Sequence, residues 1–231
     1  MFALTAERMG YRVQVVTGSD SSLDLIVPLD GALSPEFAKP ASQPSVIADF
    51  VVIAARAHDG DFVSWDPIAI DKTSGALDIA RSPAPIGAKV ERRSIDMARD
   101  LLEEHKVIGV ACVEFALSSA FEVFVQDFVF GPSRYGYLTI DACVTDQFEQ
   151  HLRAVCGLPL GGAELLRPAA MAVLNESIWE KGEPDWAAVL ALPEVKLHLY
   201  GDRKGHLTAT AASGTLAKQI VRAARSSLLR S

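Results

Sequence analysis

The spacing of apolar residues changes along this chain, and each change marks an element. "KVIGVACVEFAL" is a nearly unbroken apolar run, which predicts a strand buried on both faces. "FEVFVQDFVF" follows as a second strand after a short Ser118-Ser119-Ala120 turn. Upstream, "DFVVIAARAHDGDFVSW" sets two β-rich runs around Asp59-Gly60, a hairpin signal. "SIDMARDLLEEH" switches to helical spacing, with Ile95, Met97, Leu101 and Leu102 as its apolar stripe. The best-punctuated helix begins after Asp146, an N-cap residue followed three positions later by Glu149 in a capping-box pattern. Phe148, Leu152 and Val155 share one face of that helix, His151 falls on its polar side, and Gly157 supplies a left-handed stop.

The rest of the chain alternates the two periods. "AAMAVLN" predicts a strand, "DWAAVLAL" a short helix after Pro184, and "VKLHLY" and "GHLTATA" two strands around "GDRK"; a closing helix starts near Thr215. At the other end, Leu4 to Met9 read as helical, Gly10 as the stop and "YRVQVV" as a strand, a helix-to-strand step of an α/β unit. Thr17 to Pro44 is loop-like, with prolines at 28, 35, 40 and 44, and is the best linker candidate.

Composition narrows the classes. With 231 residues, 49% hydrophobic and 22% charged, the chain can bury a sizeable core. A formal net charge of -7 disfavours nucleic acid as a partner, though one local basic pocket remains compatible with it. No apolar run approaches the roughly 18 residues needed to span a bilayer, so no membrane partner is expected. "MFALTAERMGYR" does not read as a signal peptide, and cytoplasmic is the default location. Cys112, Cys143 and Cys156 lack metal-ligand spacing and are expected as reduced thiols, with Cys112 in the core.

"DACVTDQFEQHLRAVCGLPLG", "PAAMAVLN" and "GEPDWAAVLALPEVKLHLYGDRKGHLT" together resemble the C-terminal part of N5-carboxyaminoimidazole ribonucleotide synthetases, ATP-grasp enzymes of purine synthesis. "VVIAARAHDGDFVSWDP" and "VIGVACVEFAL" resemble the last ATP-grasp strands of that family, and "MFALTAERMGYRVQVV" its first helix and second strand. The resemblance implies a mixed α+β and α/β architecture. Residues 1–45 would be a remnant of the domain that precedes the ATP-grasp fold, plus a linker. Residues 46–145 would form a partial ATP-grasp domain, an antiparallel half-sheet with helices, and residues 146–231 a small C-terminal α/β domain. The family carries a central region of ATP-contacting lysines and a Gly-rich lid, where this chain has only Thr17 to Pro44. An ATP-grasp relative lacking most of its nucleotide-gripping half is therefore expected.

In the family, Mg²⁺ and ATP are the cofactors, and the metal ligands are a Glu on one strand and an Asn-Glu pair on the next. Glu114 matches the first and Gln126-Asp127 the second. A hard cation wants such carboxylates, and a carboxylate inside an apolar strand is costly unless paired or metal-bound. The alternatives are a strand-end Glu reaching solvent or an arginine, and two polar residues on a strand. Further on, the family has an Arg and two His where this chain has Gly131, Ser133 and Tyr137; Arg134 is the nearest replacement cation. Phe128, Phe130 and Tyr135 are expected to fill space that a substrate needs. Arg203-Lys204 resembles a segment that helps bind the ribonucleotide phosphate, and adjacent Arg and Lys on a turn suit a phosphate dianion; alternatively they cap a solvated hairpin.

Two functional readings follow. One is a catalytically impaired relative that binds aminoimidazole ribonucleotide, another small phosphorylated ligand or a partner, with a homodimer implied by the family. The other is a working synthetase that carboxylates 5-aminoimidazole ribonucleotide with ATP and bicarbonate.

Overall fold

The computed structural model describes residues 2–10, 45–180, 182–201 and 203–228. The expected "YRVQVV" strand and the loop through Pro44 lie outside the described residues. The first helix, α1 (Phe2–Arg8), precedes β1 (Val46–Arg56), β2 (Phe62–Ser64), β3 (Ile68–Thr73) and β4 (Ala76–Ser82). Helix α2 (Ala88–Glu104) then leads into β5 (Gly109–Ser118) and β6 (Val123–Phe130). A 3-10 turn at Arg134–Gly136, α3 (Thr139–Ala142) and α4 (Gln147–Val155) form the middle of the chain. Strand β7 (Ala169–Leu174), α5 (Trp186–Leu190), β8 (Val195–Leu199), β9 (Gly205–Thr210) and α6 (Gly214–Leu228) complete it.

The nine strands among the described residues join one antiparallel sheet in the order β6-β5-β1-β3-β4-β7-β9-β8, with β2 added beside β1. The antiparallel sheet with helices is the architecture expected for the ATP-grasp portion. The sheet continues across residue 145, because β4 pairs with β7 from Ile79↔Ala172 to Ser82↔Ala169. The C-terminal strands are likewise antiparallel.

Side chains alternate across the sheet, and both faces are covered. Phe50, Val52, Ala54, Val113 and Phe115 face α2, while Ala170, Ala172 and Leu207 on the same side face α6. Val51, Ile53, Val110, Cys112 and Met171 face the other way, against Leu138, Ala142 and the loop through Leu165. This doubly covered arrangement explains the unbroken apolar run of β5, which is buried at every position.

The face that α2 buries differs from the expected stripe. Val90, Ser94, Ala98 and Leu102 are buried at a spacing of four, whereas Ile95, Met97 and Leu101 flank that row. Small residues let the helix lie close to the sheet, so the larger ones fill its flanks. Helix α6 is fixed by Arg225, which pairs with Asp78 and donates to the backbone carbonyls of Asp78 and Val173.

Candidate functional site

The face covered by the 131–165 segment carries two polar clusters, and that segment links them. In the first, Glu114 on β5 stands directly opposite Asp127 on β6. The register slips one residue beyond this pair, from Glu114↔Asp127 to Phe115↔Val125. Gln126 is thus the extra residue of a bulge, a device that re-aims neighbouring side chains. Its own side chain is exposed and makes no hydrogen bond among the described residues.

Glu114 is only 9% exposed, and its charge is answered by protein groups. Lys72 on β3 reaches across β1 and places Nζ 3.2 Å from Glu114 Oε2. The phenol of Tyr135 lies beside Glu114, and its pKa is raised, first by burial and then by that carboxylate. Asp127 Oδ1 accepts the backbone N–H of Phe128 at 2.8 Å. Of the two alternatives open for Glu114, a charged partner is thus present, but it is a lysine, itself exposed to solvent. Cys112, two residues before Glu114, has its pKa raised chiefly by burial.

Tyr135 fills space beside the carboxylates, as expected, but Phe128 and Phe130 do not. They project to the α2 side, where their rings pack on each other and on His105. Arg134 is exposed and forms no ion pair among the described residues.

The turn that carries Tyr135 is held by Gln147, a fully buried residue on α4. Its Oε1 accepts the Ser133 N–H at 2.9 Å and its Nε2 donates to the Ser133 carbonyl at 2.7 Å. Gly136 leaves room for this clamp, since a Cβ there would meet Gln147 Oε1 at 2.6 Å and Ile53 Cδ1 at 2.4 Å. Asp146 caps α4 by accepting from Phe148 and Glu149, and Gly157 ends the helix at φ +68. Glu149 does not return a bond to the cap; it pairs with Arg153 and Arg8 instead.

The second cluster joins α3 to the β8–β9 hairpin. Asp141 Oδ2 lies 2.8 Å from His198 Nε2, and the rings of His198 and His206 stack at 4.5 Å. His206 is 1% exposed, and the Tyr200 hydroxyl contacts its Nδ1. Tyr137 packs against both Tyr200 and His206. Neither Asp141 nor His198 stands out in the sequence; the one signal is that both lie within segments that carry the family resemblance.

Arg203 and Lys204 sit at the tip of the same hairpin. Both are exposed, and neither is held in an ion pair among the described residues. Arg203 adopts φ +55, an unusual conformation for a non-glycine residue, in a turn closed by Lys204 N–H on the Gly201 carbonyl at 3.1 Å. A cleft between β1 and β3, lined by Asp49, Asp71, Arg81 and Ile86, includes none of these residues.

An antiparallel sheet with a facing pair of carboxylates on neighbouring strands defines the class. The ATP-grasp domain family model matches residues 47–148, the part of the chain that carries most of the antiparallel sheet and α2. The particular similarity is to N5-carboxyaminoimidazole ribonucleotide synthetases. The Bacillus subtilis synthase is 32% identical over 166 residues, covering 68% of this chain and 42% of that protein. Among solved structures, a synthetase in complex with ADP shares 26% identity at a TM-score of 0.73, covering 78% of this chain and 49% of that one. An Aspergillus clavatus synthase in complex with ADP and 5-aminoimidazole ribonucleotide has the same fold, at 20% identity and a TM-score of 0.72, over 82% of this chain and 53% of that one. The chain therefore spans about half the length of the proteins it matches. No helix among the described residues is long and apolar enough to cross a membrane.

Proposed function

We propose that this chain is a catalytically impaired relative of the carboxyaminoimidazole ribonucleotide synthetases that binds a small phosphorylated ligand of the aminoimidazole ribonucleotide class. The observation that carries this reading is the Lys72–Glu114 ion pair on the carboxylate that a metal ion would need. A Mg²⁺ ion that bridges ATP phosphates needs free carboxylate oxygens in near-octahedral geometry. Here Glu114 is neutralised and bonded, and one oxygen of Asp127 is committed to its own strand. As arranged, these residues do not fit that ion, and no catalytic step is derived through it. Nucleotide grip also requires a cradle of backbone amides and lysines, and none is seen among the described residues.

The test is ATP- and bicarbonate-dependent consumption of aminoimidazole ribonucleotide, followed by ADP release, with calorimetric titration of Mg-ATP alongside. The expected result is no turnover above background and weak or no ATP binding. Micromolar Mg-ATP affinity with ADP release would overturn it and favour the working synthetase, a reading supported by the direct opposition of Glu114 and Asp127.

Substitution of Lys72 separates the two. Lys72→Met leaves a largely buried carboxylate without its cation and is expected to cost about 1–3 kcal/mol in metal-free buffer. Mg²⁺ or Mn²⁺ should then restore part of the melting temperature in the variant while leaving the parent unchanged. A variant indifferent to both ions would remove the Glu114–Asp127 pair as a latent metal site.

The ligand is expected at the β8–β9 tip. Arg203 and Lys204 can converge on one phosphate, and charge-assisted hydrogen bonds are the strong kind. Each contributes about 1.5–3 kcal/mol, so Arg203→Ala should weaken binding roughly ten- to a hundredfold. Binding of aminoimidazole ribonucleotide or ribose 5-phosphate is measured for the parent and for Arg203→Ala with Lys204→Ala. Unchanged affinity in the double variant would sink the assignment.

A further inference from the structure

We propose that Asp141, His198 and His206 form a divalent transition-metal site, with Zn²⁺ the best-matched ion. It is separate from the Glu114–Asp127 pair and does not depend on the ligand proposed for Arg203 and Lys204.

Three observations support it together. First, one carboxylate and two imidazoles from two distant parts of the chain bring their donor atoms within 4.8 Å of one another. Asp141 comes from α3, and His198 and His206 sit opposite each other in the β8–β9 register. Second, His206 is 1% exposed, and its Nε2 has no hydrogen-bond partner among the described residues. A buried ring nitrogen left unpaired forfeits a bond that almost every buried polar atom makes. Third, the other nitrogen of the same ring is engaged. Tyr200 Oη lies against Nδ1, and a hydroxyl can accept as well as donate. With Nδ1–H donating to Tyr200, Nε2 carries a lone pair. Fixing the far N–H of a histidine in this way is how ligating imidazoles are usually oriented.

The donor set selects the ion. Two imidazoles and one carboxylate suit Zn²⁺ and its neighbours; Mg²⁺ and Ca²⁺ prefer oxygen alone. Tetrahedral Zn²⁺ with bonds of about 2.0–2.1 Å puts its donors roughly 3.3 Å apart. The Asp141–His198 contact of 2.8 Å must therefore open by about half an ångström as the ion replaces the hydrogen between them. The outer separations must close by at most about 1.5 Å, within reach of side-chain rotation on a hairpin whose His198 and partner Asp141 are only partly buried. Three protein ligands leave a fourth position for water or another small donor.

The hairpin also gains from such an ion. His198 and His206 stack face to face across the two strands, and Asp141 ties His198 to α3. A bound ion would lock all three to one point.

The test uses the untagged full chain, stripped with a chelator. Zn²⁺ is titrated calorimetrically, and Co²⁺ is titrated by its visible ligand-field absorption, which is intense only in four- or five-coordinate sites. The expected result is one ion per chain at micromolar affinity or tighter, with an intense Co²⁺ band and a rise in melting temperature on adding Zn²⁺. His206→Ala and His198→Ala should each weaken Zn²⁺ binding at least about tenfold and abolish the band. Because either substitution can disturb the hairpin, Tyr200→Phe is the second variant: it leaves all three ligands and removes the group that orients His206. It should lower affinity about ten- to a hundredfold. Absence of binding by the parent overturns the proposal. So does binding that survives both histidine substitutions, which would locate the ion elsewhere, for example at the surface residues His58 or His105.

Discussion

Replacing Gly109 by alanine is expected to cost about 2–5 kcal/mol of folding stability, enough to endanger a marginally stable fold. Gly109 opens β5 at φ +114, a conformation that side chains rarely adopt. Holding a residue there costs about 1–3 kcal/mol. The added Cβ would also stand 2.7 Å from both Cε1 and Nδ1 of His151. That ring cannot simply swing aside, because its Nδ1 accepts the Val110 N–H at 2.9 Å. Overpacking of a fixed neighbour adds about 1–3 kcal/mol. Gly75 provides the comparison: φ is +80, but nothing lies within 4 Å of its Cβ position. Gly75→Ala should show the backbone cost alone. Urea unfolding of the two variants measures the difference, and equal losses would mean that His151 yields to the methyl group.

The elements that were legible in the sequence are those whose signals are local. Asp146 and Gly157 mark both ends of α4 because a cap and a left-handed stop act within a few residues. The unbroken run of β5 announces burial on two faces for the same reason. His151, expected on the polar side of α4, is buried instead, and the cause is long-range. Gln147, Gln150 and His151 look like a solvated stripe, yet all three are buried. Gln147 serves the backbone of Ser133, Gln150 that of Gly161, and His151 that of Val110. A polar side chain that satisfies an irregular backbone is indistinguishable in sequence from one that faces water. The site shows the same division. Glu114 and Asp127 stand out as charges in apolar strands, so their types could be noticed without a structure. Lys72 could not, since it lies 42 residues from Glu114 and meets it only through the order β5-β1-β3. Asp141, His198 and His206 are joined by the packing of α3 on the hairpin, and no local spacing encodes that.

Acidification is expected to weaken the fold through His151, by about 3 kcal/mol between neutral pH and pH 4. Burial lowers its pKa from the ordinary 6.5 to about 4. The hydrogen bond gives the same direction. Nδ1 acts as an acceptor toward the Val110 N–H, so the neutral ring carries its proton on Nε2. A second proton at Nδ1 would remove the lone pair and set N–H against N–H. Below about pH 6.5 the unfolded chain takes up a proton here that the folded chain refuses until about pH 4. The unfolded state thus binds more protons across that window, and stability rises with pH within it, by about 1.4 kcal/mol per pH unit. Above pH 7 both states are neutral at this position, and its contribution is constant. The measurement is chemical unfolding of the parent and of His151→Gln from pH 7.5 to pH 4.5. The variant should be less stable at pH 7.5, because Gly109 and Val110 lose a shaped partner, and its disadvantage should shrink steadily as the pH falls. A gap between parent and variant that stays constant over this range would show that His151 does not carry the acid sensitivity.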